Sequence, residues 1–191
     1  TPAHDHWRLS VPERSEAVVG GQLREMDDLL AIDIRPDRIV ADWGSDTAPE
    51  DVGRLMATIG MAGHAYADGR TCLHGCAVAF GDKAILLIGE SGAGKSSLTA
   101  ALVAAGASLI SEEVVMPDRD PLKLMAGPNA IKISAELANH LGVEGMCTRA
   151  FLHPALAHEG LAWTPPGATR TARLAAVRLL EPRQHSPKLS L

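Results

Sequence analysis

No uninterrupted apolar run in this sequence approaches the ~20 residues that a bilayer-spanning helix needs. No signal-peptide pattern stands at its start. The three cysteines cannot pair completely, so a reducing cytosol is the expected compartment. An excess of basic charge is also missing. The formal net charge of −5 argues against nonspecific binding to nucleic acid or to anionic membranes, and neither is expected as a partner. Internal repeats and low-complexity tracts are absent as well. What is there is 46% hydrophobic and 21% charged, the balance of a globular rather than a disordered chain. At 191 residues the expectation is one structural domain, burying roughly 70% of the surface its unfolded chain exposes. Within it, residues 1–68 read as an α/β lead-in packed on a core formed by residues 69–191.

Along the chain, His4 and His6 stand near the start without a third ligand and read as a tail rather than a metal site. "LLAIDI" and "RIVADW" flank a turn centred on Pro36 and predict a hairpin. Thr47 with Glu50 forms a capping box, and Leu55, Met56, Ile59 and Gly63 recur at helical spacing to about Tyr66. "TCLHGCAVAF" and "AILLIG" read as strands around a "GDK" turn. Cys72 and Cys76 flank His74 on one strand face, and the cysteines read as small core residues rather than as part of a metal trio. A helix follows with Leu98, Ala101, Leu102 and Ala105 as its apolar stripe and Gly106 as its stop. "SLIS" and "NAIKIS" are further strands, and a helix is expected from about Ser134 to Leu141. Residues 142–172 predict a long loop, in which Arg149 and Arg170, with Arg173 nearby, are candidates to reach a phosphate and Trp163 is a substrate contact or a loop anchor. "RLAAVRLLE" predicts a closing strand.

The chemistry is concentrated between Gly89 and Ser97. Gly89-Glu90-Ser91-Gly92-Ala93-Gly94-Lys95-Ser96 satisfies G-x-x-x-x-G-K-[ST] at every fixed position and follows an apolar run, as a phosphate-binding loop must. Its glycines let successive backbone N–H groups face a phosphate, and the following helix adds the positive end of its dipole. Lys95 is suited to bridging β- and γ-oxygens, and the Ser96 hydroxyl to contacting Mg²⁺. Ser97 completes the nucleotide-binding stretch. Glu112 and Glu113 lie 17 residues (112 − 95) beyond the lysine, directly after the next apolar strand. Carboxylates at the end of a strand neighbouring the loop stand at the ligand crevice of an open α/β sheet. One suits Mg²⁺, and the other suits accepting a proton from an attacking hydroxyl.

The stretch "LHGCAVAFGDKAILLIGESGAGKSSLTAALVAAGASLISEE" resembles the catalytic core of the HPr kinase/phosphorylase family. Its lead-in is more similar to the shorter HPr-kinase-related proteins, lasso-peptide kinases among them. The likeness runs from about Gly69 to Val115. It rests on His74-Gly75, on the loop from Gly89 to Ser96, and on an acidic pair at the same 17-residue distance (112 − 95). It implies an α/β fold with the P-loop (Walker A) kinase core of HPr-kinase type, a mixed central sheet and flanking helices. The implied activity is ATP-dependent transfer, with ATP or another NTP and Mg²⁺, to a serine hydroxyl of a peptide or small protein. Lys95 would bind phosphates, Ser96 and Glu113 would contact Mg²⁺, and His74 would lie beside the phosphates. Glu112, matching the first acidic position, is the favoured base. The family usually has aspartates where this chain has Glu112 and Glu113. Its later glycine- and arginine-rich signature, associated with the reverse reaction, is not found here, which favours kinase over phosphorylase. Rings occur in the family, so a homo-oligomer is admitted. The alternatives are a kinase of small-molecule hydroxyls and a nucleotide-binding regulator that has lost transfer.

Overall fold

The computed structural model describes residues 21–25, 30–34, 39–43, 52–53, 56–67, 69–118, 120, 122–150, 160–167 and 171–181. The His4–His6 tail, the Pro36 turn, the Thr47–Glu50 capping box, Leu55 and Arg170 lie outside the described residues. The hairpin expected around Pro36 is present as β2 (Leu30–Ile34) and β3 (Ile39–Trp43), with β1 (Gly21–Glu25) added antiparallel on the other edge of β2. A π-helical turn (Met56–Gly60) runs into α1 (Met61–Ala67). The lead-in makes two contacts of note. Ile34, 1% exposed, lies directly over Gly63, where any larger residue would collide with it. Ala65 of α1 packs with Val114, Met116 and Cys72.

The central sheet is mixed. β4 (Leu73–Phe80) pairs antiparallel with β5 (Lys83–Gly89) through the Gly81–Asp82 turn. The helix α2 (Lys95–Ala104) returns the chain to β6 (Ser108–Ser111), which is followed by β7 (Val114–Val115). β8 (Lys123–Met125) is an edge strand. β9 (Ile131–Ile133) and α3 (Ala135–His140) follow as expected, with the Ser134 hydroxyl accepting from Leu137 N–H as N-cap. β12 (Thr171–Leu180) inserts parallel to β5, confirming the closing strand. The resulting order is β6-β4-β5-β12-β8, with β7 also on β4.

Three expectations need correction. Residues 142–172 are not a continuous loop. A 3₁₀ turn (Glu144–Met146), β10 (Cys147–Ala150) and β11 (Gly160–Trp163) build a second small sheet in the order β10-β11-β9. Pairing with the distant β9 supplies strand partners that local periodicity does not reveal. Trp163 is accordingly a core anchor, 3% exposed among Ile131, Ile133 and Leu109.

Second, the apolar stripe expected on α2 is only partly its buried face: Leu102 packs on the core, but the ends of the stripe do not. Leu98 is 37% exposed and Ala105 is exposed, while Lys95, Thr99 and Ala100 are buried. The preceding loop sets the rotation of the helix. With Lys95 turned back to the loop, Thr99, one turn on, must face the sheet.

Third, β6 is not the neighbour of β5. β4 lies between them and runs antiparallel to both, so the acidic pair is carried two strands away from the strand that feeds the loop. The core is divided by this sheet. Val78, Leu109 and Ala100 lie on the α2 side, and Ala77, Ala79, Leu86, Ile110 and Val115 on the other.

Candidate functional site

The loop between β5 and α2 takes its shape from glycine. Gly92 and Gly94 have φ of 81° and 89°, the left-handed region that disfavours a Cβ, and no atom would crowd one there. Backbone conformation rather than packing therefore demands glycine at both. Gly94 is the N-cap of α2 and offers no side-chain cap, so the first N–H groups of the helix keep no side-chain acceptor from their own cap. Ala93 N–H donates to the Glu90 carbonyl at 3.2 Å, closing the loop on itself. Lys95 is 7% exposed, and its Nζ donates to the Gly89 and Glu90 carbonyls at 2.8 and 3.0 Å. Its ammonium thus lies along the loop rather than out in solvent.

One residue further, Ser96 Oγ donates to Glu112 Oε1 at 2.6 Å. Glu112 is 2% exposed. Burial pushes its carboxyl up to about 7, and the Ser96 hydrogen bond opposes that rise. The neighbouring Glu113 adds to it, whereas Lys132 and Lys95 lower it.

Glu113 is only partly buried and lines the open cleft. β6 and β7 lie on the same edge of β4, and the acidic pair interrupts the ladder between Ala77↔Ser111 and His74↔Val114. Val114 N–H donates to the Glu112 carbonyl at 2.8 Å, a three-residue turn centred on Glu113, whose φ is 64°. It is the only non-glycine residue with positive φ among the described residues. The turn is held from both sides. Gly75 N–H donates to the Glu113 carbonyl at 3.1 Å, and Glu112 N–H donates to the Pro128 carbonyl at 2.8 Å. Gly75 admits no side chain, because a Cβ there would lie 2.6 Å from the Leu87 carbonyl oxygen. Strict strand alternation would send Glu113 to the sheet face opposite Glu112. The turn instead leaves Glu113 lining one cleft of about 250 Å³ with His74, Ser91, Gly92, Gly94, Lys95, Ser96 and Ser97.

The structure therefore brings together the loop, Lys95, Ser96, Ser97, His74 and Glu113, with Glu112 buried behind Ser96. Arg149 and Arg173 are exposed on β10 and β12 and do not line the cleft. Cys76, opposite Glu112 in the ladder, is fully buried; burial first and the Glu112 carboxylate second push its thiol up, so it remains protonated. Thr99, on α2 one turn after Lys95, is fully buried, with the Cys76 thiol as its polar neighbour. Cys76 is the core residue expected from sequence, whereas Thr99 and Pro128 are neighbours of the site that sequence reasoning passed over. The Gly127-Pro128 pair ahead of "NAIKIS" was the available signal for the last.

Among the described residues, no group of three or more His, Cys, Asp or Glu is placed to hold a metal ion. The hydroxyl–carboxylate pair Ser96–Glu112 is the arrangement suited to a hard cation that also takes oxygen ligands from a phosphate. No helix among the described residues is long and apolar enough to cross a membrane. The chain matches no protein-family model and no curated protein.

Proposed function

We propose that this protein is a nucleotide-dependent kinase that transfers a γ-phosphoryl group to a serine hydroxyl of a peptide or small protein. The observation that carries the reading is the placement of Glu113 and His74 in one cleft with the loop, while Glu112 holds Ser96 at 2.6 Å. The donor set fits Mg·ATP: an uncapped helix N-terminus, a lysine folded along the loop and a serine backed by a carboxylate. When bound, the nucleotide supplies the phosphoryl group, and Mg²⁺ neutralises the charge that gathers on its oxygens.

The chain's own residues divide the remaining work. Backbone N–H groups of the loop and Lys95 bind phosphate oxygens. Ser96 and Glu112, already joined by their hydrogen bond, would hold the cation. Glu113 faces the open cleft and accepts the proton of the acceptor hydroxyl. This exchanges the two roles expected from sequence. A carboxylate 2% exposed and already bonded to Ser96 is poorly placed to meet an incoming hydroxyl, whereas one lining the cleft is well placed. His74 stands beside the phosphates as a polar positioning group. A second reading, a nucleotide-binding regulator without transfer, is favoured by glutamates where the resembled family usually has aspartates. Single-turnover transfer from labelled ATP to a panel of serine-bearing peptides separates the two. Phosphoserine formation dependent on Glu113 supports the kinase, and tight Mg·ATP binding with no transfer to any peptide supports the regulator.

A further inference from the structure

At the end of the sheet away from the loop, strand register lines up three cations. Lys83 of β5 is opposite Arg173 of β12, and Arg173 is opposite Lys123 of β8. Residues directly opposite in a ladder share a face, and neighbouring strands lie about 4.8 Å apart, so the three form a row about 10 Å long. Phe80, opposite Lys83 on β4 and 44% exposed, extends the row with an apolar edge. All four side chains are exposed. Lys83, Arg173 and Lys123 form no ion pair with a described residue, and the nearby Asp120 carboxylate is engaged by Leu122 N–H at 3.0 Å. Like charges directly opposite on adjacent strands are destabilising. Asp82, whose carbonyl accepts from Arg173 N–H, and Asp120 stand beside the row as exposed carboxylates, so among the described residues it is a row of three cations without a direct ion pair, on a chain whose formal net charge is −5.

We infer that this row docks an acidic stretch of the acceptor peptide, at a distance from the serine that is phosphorylated. The inference rests on the phosphotransfer reading above. Long basic side chains on a flat, exposed sheet edge reach carboxylates that recur along an extended peptide, and Phe80 gives an apolar neighbour at one end. A short row suits a short acidic segment; a nucleic acid would call for a longer basic track. The seven residues from Lys83 to Gly89 give six steps between the row and the loop, about 20 Å at ~3.3 Å per strand residue. An extended acceptor would thus present its acidic stretch roughly six residues from the serine.

The test uses fluorescent peptides carrying one serine, a spacer of roughly six residues and either a glutamate run or a glutamine run of equal length, with the run placed on either side of the serine. Binding and transfer are measured for the wild type and for the triple variant Lys83→Gln, Lys123→Gln, Arg173→Gln. The wild type should bind the glutamate peptide about tenfold or more tighter than the glutamine peptide, and high salt should erase the difference. The triple variant should lose this preference through a raised KM with kcat and Mg·ATP affinity unchanged. Its thermal midpoint should be equal to or above that of the wild type, a result that a merely structural role for the row would not give. Equal affinity of variant and wild type for the glutamate peptide would overturn the inference. So would equal affinity of the wild type for the two peptides, or tighter binding of a labelled single-stranded oligonucleotide than of the glutamate peptide. Glutamate-selective binding by a wild type that neither binds ATP nor transfers phosphate would uphold the row as an acidic-peptide surface and overturn the kinase reading instead.

Discussion

Ser96 and Glu112, 16 residues apart in sequence and on different elements, share a hydrogen bond of 2.6 Å that joins the start of α2 to the strand edge beyond β4. The carboxylate at its far end is buried and lifted to about 7. A carboxyl raised above its unfolded value of 4.5 retains its proton in the folded protein after the unfolded chain has released it. Its contribution to stability is therefore complete below pH 4.5 and is lost as pH rises through about 7. In EDTA, the wild type should lose about 3 kcal/mol across that interval from this group. Glu112→Gln should lack that slope and be the more stable protein at pH 8. Urea unfolding at several pH values decides it; parallel slopes in the two proteins would assign the proton to another group.

Ser96→Ala should weaken nucleotide binding chiefly in the presence of Mg²⁺, because the hydroxyl serves the cation rather than the phosphate. Titration of a fluorescent ATP analogue with Mg²⁺ and with EDTA measures both arms. An equal loss in the two arms would contradict the role.

Lys95→Ala should cost roughly 1.5–3 kcal/mol of Mg·nucleotide affinity, the value of a charged hydrogen bond to phosphate. Stability should fall as well, since Nζ donates to the Gly89 and Glu90 carbonyls, which lose that donor. Calorimetric titration beside thermal unfolding reads both effects. Unchanged affinity would remove the basis of the nucleotide assignment.

Glu113 separates stability from activity. At φ 64° a glutamate is strained, and glycine is the residue suited to that backbone. Glu113→Gly should leave the unfolding midpoint equal or higher while transfer falls about 10²–10⁴-fold, the usual contribution of a general base. Glu113→Gln should show the same loss of rate without the gain in stability. Wild-type transfer by both variants, in a single-turnover assay, would locate the base elsewhere.

Gly75→Ala tests the frame around the turn. A Cβ 2.6 Å from the Leu87 carbonyl must shift β4 or β5, a change that typically costs about 1–3 kcal/mol. The same shift loosens the Gly75–Glu113 hydrogen bond, so transfer should fall more than Mg·ATP affinity does. Thermal unfolding and a comparison of kcat with nucleotide affinity check the two halves.

The parts of this molecule legible in its sequence are those whose chemistry is contiguous. The loop from Gly89 to Ser97, the strand before it, the helix after it and the acidic pair all follow from residue types at fixed short spacing, as does the helix from about Ser134 to Leu141. Others needed partners distant in the chain. β10 and β11 look like loop because their strand character comes from pairing with each other and with β9. The buried face of α2 follows from how the loop turns Lys95, which an apolar count cannot supply.

Sequence alone determined that Gly89 to Ser96 carries the phosphate-loop pattern, and that two carboxylates follow at a fixed distance. Tertiary structure decided what each carboxylate meets. β4 is inserted between β5 and β6, and the ladder it offers is broken opposite Cys76 and Gly75. The break turns Glu112 inward to Ser96 and leaves Glu113 in the cleft beside His74. Register across β5, β12 and β8 likewise aligns Lys83, Arg173 and Lys123, residues separated by up to 90 positions (173 − 83) in the chain. Strand order and register are fixed by burying both faces of the sheet, a nonlocal balance that no short window of sequence contains.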